Sequence, residues 1–350
     1  MKVVVTGASG NIGTALLRAA QAEKWDVVGI ARRPPLPERA PYAGVRWIHC
    51  DIGDSAAIPT LTNAFTEADA VVHLAWAINP RTEEPPMERT NRIGTANVLR
   101  AVAASGVAHL TCVSSVAAYT PAARWRRVDE QWPLTGIETS AYSRSKVTLE
   151  EQLDVFARAQ PSTRIARVRP CAVAQGAAAA EVADWVLGPW LPRSLAGHRR
   201  LPVPLWRDLR LQFVHAEDVA AAIRLILLEQ ATGAYNLAAE PVVAAPALAA
   251  MLGGFRLPVP RRVLTAAAWA GWRLGLAPLH PGWLELADRA SLVDTGKARR
   301  ELGWSPKYDA TAVVHELVTG LRTHRRGDSP VLAPPRAPFR FGAPTHQSQH

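Results

Sequence analysis

A chain of 350 residues is long enough to bury a large core, as one domain or as a larger half carrying a smaller lobe. Its 48% hydrophobic content fits a soluble enzyme, no uncharged apolar run reaches membrane-spanning length, and Cys50, Cys112 and Cys171 are too scattered to suggest a disulfide framework or a zinc site. The net charge of +10 does not argue for nucleic acid: residues 322–350 alone supply +4 in a stretch rich in Pro, Arg and His that reads as a disordered extension, and the remaining excess suits an anionic cofactor.

The chain opens on a β-branched run, Lys2–Thr6, that passes into Gly7-Ala8-Ser9-Gly10-Asn11-Ile12-Gly13 and then into an Ala/Leu-rich helical pattern. Val3 already lies inside the first predicted strand, so a secretory segment is not expected and a cytoplasmic location is. The glycines differ in what they permit. The first allows a tight turn, the second lets backbone approach a pyrophosphate, and the third lets helix and sheet pack closely. Amides at the helix start would face the phosphates, so Gly7, Gly10, Asn11, Ile12 and Gly13 are expected to bind a dinucleotide.

A second strand is predicted over Asp26–Ala31. It ends in Arg32-Arg33, where an NAD-preferring unit would carry an acid; two guanidinium groups there suit a 2′-phosphate, which predicts NADP with NAD as the alternative cofactor, unless the two arginines simply solvate a loop. Beyond the proline-rich loop 34–44, a third strand near Val45–Cys50 ends in Asp51-Ile52, expected at the adenine, although Asp51 can equally cap the next helix. Ala68–Ala75 predicts a fourth strand, with Leu74 and Ala75 against the cofactor and His73 a core histidine. The loop Pro80–Pro86 would flank the nicotinamide, Asn91 stands on the following helix, and a fifth strand, His109–Ser114, delivers Ser115. Strands alternating with helices predict an α/β fold, a doubly wound parallel Rossmann sheet with a smaller C-terminal substrate lobe. Ligands in such sheets sit beyond the carboxyl ends of the strands, where Gly7, Arg32, Asp51, Ala75 and Ser115 all fall.

Tyr142 and Lys146 are four residues apart on one predicted helix, so they share a face. A free phenol, with a pKa of about 10, is a poor acid near neutrality. An adjacent ammonium, helped by the positive charge of an oxidised nicotinamide, is expected to bring it down, with Ser115 donating to the substrate oxygen.

Together the glycine phrase Thr6–Gly13, Asn91, Ser115 and Tyr142–Lys146 resemble the extended short-chain dehydrogenase/reductase superfamily, and more closely its NAD-dependent epimerase/dehydratase family. Phe213–Ala220, Gly233–Leu237 and Arg300–Pro306 are further phrases of that kind, and the resemblance covers about residues 1–320. It implies Ser115, Tyr142 and Lys146 as the catalytic triad, Asn91 as a supporting member, Lys146 as a partner of the nicotinamide ribose, and Arg169 and Pro170 at the border of the cofactor cleft. It also leaves room for a homodimer.

Departures narrow the chemistry. Val116-Ala117 replaces the acid pair of a sugar-nucleotide dehydratase, and Cys171–Gly176 lacks the Asn and Tyr-Gly-Pro phrase of sugar-nucleotide epimerases. The expected function is therefore an NAD(P)-dependent oxidoreductase exchanging hydride with a secondary alcohol or ketone of a small, apolar substrate. The alternatives are an NAD-dependent nucleotide-sugar epimerase and a non-catalytic dinucleotide sensor. Residues 1–176 would form mainly the dinucleotide-binding domain, 177–320 mainly the substrate lobe with elements returning to the core, and 321–350 a disordered tail. In the lobe, the tryptophan-bearing stretches 183–191 and Leu264–Leu276, with Trp269 and Trp272, would wall an apolar cleft or simply pack helices. Arg261, Arg262 and Arg273 flank the second stretch, which keeps a peripheral membrane surface as a minor alternative. No metal site is expected, and His215 and Asp218 read as structural.

Overall fold

Lys2–Thr6 forms the pivot of a seven-stranded sheet because Val3, Val4 and Val5 can be buried on both faces at once, as strands of a parallel sheet covered by helices must be. The computed structural model describes residues 1–78, 87–186, 201–275 and 279–333. Across the sheet the strands run Gly233–Leu237, Arg164–Pro170, His109–Val113, Ala70–His73, Lys2–Thr6, Asp26–Ala31 and Arg46–His49. Every neighbouring pair is parallel. The chain winds outward from Lys2–Thr6 in one direction and then crosses back to Ala70–His73, so the order reverses beside the first strand, the place where doubly wound sheets open a ligand crevice.

Side chains alternate between two cores. Val3 and Val5 join Leu16, Leu17, Val219 and Ile223 on one face, under helices Asn11–Ala22 and Ala216–Leu228; Val4 joins Leu61, Val98, Leu149 and Leu153 on the other, under helices Ala57–Phe65, Thr95–Ser105 and Ala141–Ala159. The five expected strands fall within two residues of these bounds. The helix expected around Thr90 differs in kind: Arg89–Gly94 is wound as a π-turn that leads into the α-helix Thr95–Ser105.

The smaller lobe is assembled from later segments. A three-stranded sheet joins Ala239–Ala244, Arg210–His215 and Ala172–Ala174, a two-stranded sheet joins Phe255–Pro258 with Pro202–Leu205, and helices Arg261–Arg273 and Gly282–Arg289 pack beside them. Helix Ala216–Leu228 and strand Gly233–Leu237 return to the large sheet. The tail expected from residue 321 is ordered at its start. Helix Ala310–Arg322 runs across that position, Leu332 is fully buried against Ala177 and Ala178, and the Ser329 hydroxyl donates to the carbonyl of Ser9 (2.7 Å), because one leucine and one hydroxyl find partners on the body of the protein. Residues 334–350, the expected Pro80–Pro86 loop, and Trp190 with its neighbours lie outside the described residues.

Candidate active site

The glycine turn has the geometry its residues dictate. Gly7 adopts φ +72°, and a Cβ there would come within 2.6 Å of the Ala75 nitrogen; a Cβ on Gly13 would come within 2.4 Å of the Gly7 carbonyl oxygen. A side chain at either place would force apart the turn, the helix start and the end of the fourth strand. The first intrahelical bond runs from Thr14 N to Gly10 O (2.9 Å), and Gly10 supplies no capping side chain, so the amides of Asn11, Ile12 and Gly13 remain available at a helix start with no acid in its first turn. This cradle fits a pyrophosphate. Arg32 and Arg33 are exposed just past the second strand, next to Gly7, whose amide donates to Ile30 O (2.8 Å). Asp51 accepts from the Gly53 amide (3.0 Å) and lies 3.3 Å from Arg89, which makes it a turn anchor; Ile52 is buried under Gly94. Leu74 and Ala75 are drawn to Thr6 by bonds from their amides to its carbonyl and hydroxyl oxygens (3.0 and 3.4 Å).

Ser115 and Tyr142 are brought together by a tether on the next residue. The Ser143 hydroxyl donates to Ala117 O (2.6 Å) and accepts from the Ile137 amide (2.7 Å), fixing the start of helix Ala141–Ala159 against the turn that carries Ser115. Ser140 caps that helix through the Ser143 amide (3.3 Å). This sets Tyr142 beside Ser115, whose hydroxyl accepts from the Ala117 amide (3.1 Å), and Lys146 lies one turn along with its Nζ 5.9 Å from the Tyr142 ring centre.

Burial pushes the Tyr142 phenol above its ordinary value, and the neighbouring Ser115 hydroxyl opposes that shift. Lys146 is engaged elsewhere: its ammonium donates to Val113 O (3.0 Å), stands 3.5 Å from the centre of the Trp76 ring, and is itself pushed down to about 7 by burial, against the pull of Glu150. A lysine poised near neutrality can take up a proton as easily as give one.

Two further expected site residues have structural roles. Asn91 pins Ala77, accepting from its amide (2.8 Å) and donating to its carbonyl (2.9 Å), so it shapes the chain just past Trp76 and has no direct contact with Tyr142. Arg169 is buried behind the site. It holds Glu150 with two bonds (2.7 and 3.0 Å) and donates to the Tyr119 hydroxyl and Glu130 O (both 3.0 Å), so it faces an internal network instead of the cleft. Burial pushes the Glu150 carboxyl up, but this guanidinium outweighs it and holds the carboxyl below its usual range. Pro170 closes its strand beside Leu237.

Sequence reasoning missed three participants. Trp283, from helix Gly282–Arg289 in the lobe, lays its ring 5.3 Å from that of Tyr142 at a 34° tilt. Trp76 caps Lys146; its place directly after Ala75, at a strand's carboxyl end, was the available signal. Gln175 donates to both the carbonyl (2.9 Å) and the side-chain oxygen (2.7 Å) of Asn11, tying the helix start to the lobe. Trp269 differs from expectation: it is 52% exposed on the outer side of the lobe, because Leu264 faces the packed side of its helix. Trp272 stacks edge-on with His280 (4.7 Å). His215 caps helix Ala216–Leu228 and bonds Glu316 (2.9 Å), and Asp218 accepts from the amides of Lys307 and Tyr308 (2.7 and 3.2 Å).

Known proteins resemble this arrangement. A UDP-glucose 4-epimerase of Thermus thermophilus, solved as a complex with NAD, superposes with a TM-score of 0.68 at 23% identity, covering 92% of this chain and 99% of that one. The ceramide reductase of Caulobacter vibrioides is 29% identical over 322 residues, 87% of this chain and 86% of its own. An uncharacterized protein of Mycobacterium tuberculosis is 28% identical over 331 residues, 92% of this chain, and the chain spans only 30% of that relative's length. Residues 3–238 match the NAD dependent epimerase/dehydratase family. With its parallel sheet, glycine turn and Tyr-x-x-x-Lys helix in place, the chain belongs to the NAD-dependent epimerase/dehydratase family.

Proposed function

We propose that the chain is an NADP-dependent oxidoreductase that reduces a ketone, or oxidises the matching secondary alcohol, on a small apolar molecule. The observation that carries this reading is the placing of Tyr142 beside Ser115 and one helical turn from Lys146. A dinucleotide held by the Gly7–Gly13 turn would supply the hydride for the carbonyl carbon, or accept it from the alcohol. Ser115 donates a hydrogen bond to the carbonyl oxygen, which gains negative charge as the carbon is attacked. Tyr142 gives its proton to that oxygen, so ketone, hydride and proton balance to an alcohol. A phenol whose acidity is weakened by burial is protonated at neutral pH, the form in which it can give a proton to that oxygen. Lys146 then stands beside the phenolate as the group able to return a proton.

Two features support the substrate and cofactor classes. The Trp283 ring on Tyr142 and the Trp76 ring on Lys146 give the reacting groups aromatic walls and favour an apolar or flat substrate. Arg32 and Arg33 form no ion pair or hydrogen bond among the described residues and offer two cations to a 2′-phosphate. The Caulobacter relative is named a ceramide reductase, which points the same way.

The test is to titrate purified protein with NADPH and NADH and to follow NADPH consumption over a panel of alkyl and aryl ketones. Exchangeable NADPH binding with net reduction supports the reading. NAD that survives dialysis, with no net consumption of NADPH, would instead mark an epimerase.

A further inference from the structure

The helix Arg261–Arg273 is apolar on the side where a surface helix is ordinarily polar. Its inner side is anchored by Leu264, which packs with Trp206, Leu209 and Ala245, and by Arg261, paired with Glu285 and with Asp288 (3.4 Å). Turned outward at helical spacing are Arg262, Ala266, Trp269 and Arg273 in one row, with Val263, Ala267, Ala270 and Leu274 in the next, all exposed. Val263 is 55% and Leu274 71% exposed. Phe255 and Leu257, on the strand that leads into the helix, are exposed as well. Of the eleven large hydrophobic side chains exposed among the described residues, five fall between 255 and 274, so exposed apolar side chains are concentrated on this segment.

Its charge has a single sign. Residues 241–284 contain Arg256, Arg261, Arg262 and Arg273 and no Asp or Glu. The Arg273 guanidinium lies 5.2 Å from the centre of the Trp269 ring, an aromatic and a cation side by side at the edge of the apolar face. A second copy of the chain suits this face poorly. A symmetric contact would set Arg262 and Arg273 against their own counterparts, with no acid on the face to offset them. A layer of anionic headgroups over hydrocarbon suits it on both counts.

We propose that this face docks on an anionic lipid surface. The helix lies in the plane of the headgroups, with Val263, Trp269 and Leu274 reaching the acyl boundary and Arg262 and Arg273 at the phosphates. Docking is independent of the redox reading, since none of these residues belongs to the Ser115, Tyr142 and Lys146 cluster.

The experiment is co-sedimentation of the full chain with phosphatidylcholine vesicles, with and without about a third phosphatidylglycerol. Binding is expected only with phosphatidylglycerol, weakened by salt, and reduced roughly tenfold in Trp269→Glu and in Arg262→Glu/Arg273→Glu. Both variants change exposed side chains, so their thermal midpoints and NADPH affinity are expected to match the parent's. No binding to the anionic vesicles, or equal binding by the variants, overturns the proposal. So does a dimer in sedimentation velocity that Trp269→Glu dissociates, which would make a second copy the occupant.

Discussion

The ring of Trp283 lies 5.3 Å from that of Tyr142, so a residue of the smaller lobe forms a wall beside the phenol. Losing that wall should harm substrate handling and spare the cofactor, whose expected cradle is the Gly7–Gly13 turn on other elements. Trp283→Ala is expected to lower kcat/KM roughly tenfold to a hundredfold with NADPH affinity unchanged, and Trp283→Phe to retain most activity, because aromatic contact and its buried area supply the effect. Steady-state kinetics on both variants measure this.

The two arginines beyond the second strand should set cofactor choice. Arg32→Asp puts a carboxylate where the 2′-phosphate would pair, so NADP affinity is expected to fall at least roughly tenfold while NAD affinity holds or improves. Fluorescence titration with both reduced cofactors gives the ratio, and equal losses would show that the phosphate is read elsewhere.

His73 predicts an acid sensitivity with a definite sign. Its ring sits between the hydroxyls of Thr6 (2.7 Å) and Thr95 (3.1 Å), and burial pushes it down to about 3. A histidine whose folded value is depressed contributes stability that is complete above about 6.5 and is lost as pH falls toward 3, because the unfolded chain binds the proton first. Going from pH 7 to pH 4.5 should cost the parent about 3 kcal/mol through this residue. Urea midpoints of parent and His73→Gln at the two values test it, and the variant should lack that part of the pH dependence.

Glu150 and Arg169 should be inseparable. Both are buried, and truncating one leaves the other charge without its partner. Glu150→Gln is expected to destabilise the fold by about 3 kcal/mol. Paired replacement of both residues by apolar ones should cost less, as a double-mutant cycle in urea would measure.

Local features were legible in the sequence and distant ones were not. The glycine turn, Ser115 at a strand's end and the Tyr142–Lys146 spacing are written within a few residues each, and strand alternation set the sheet. Trp283 is joined to Tyr142 only by the folding of the lobe, and nothing near Pro281-Gly282-Trp283 announces it. Arg169 looked like a cleft residue because its partner, Glu150, lies on another element; once paired it turns inward. The direction of the Tyr142 shift depends on burial, which helical spacing does not encode: the right neighbour was foreseen, and its ammonium is held by Val113 and Trp76 instead.

Proton transfer by the Tyr142 phenol is the claim on which the redox reading stands. The most direct measurement is single-turnover NADPH oxidation by Tyr142→Phe beside its NADPH dissociation constant, since the variant keeps the ring against Trp283 and loses only the hydroxyl. The account predicts a loss of roughly a thousandfold in rate with cofactor affinity unchanged. A variant that turns over at the parent's rate would contradict it.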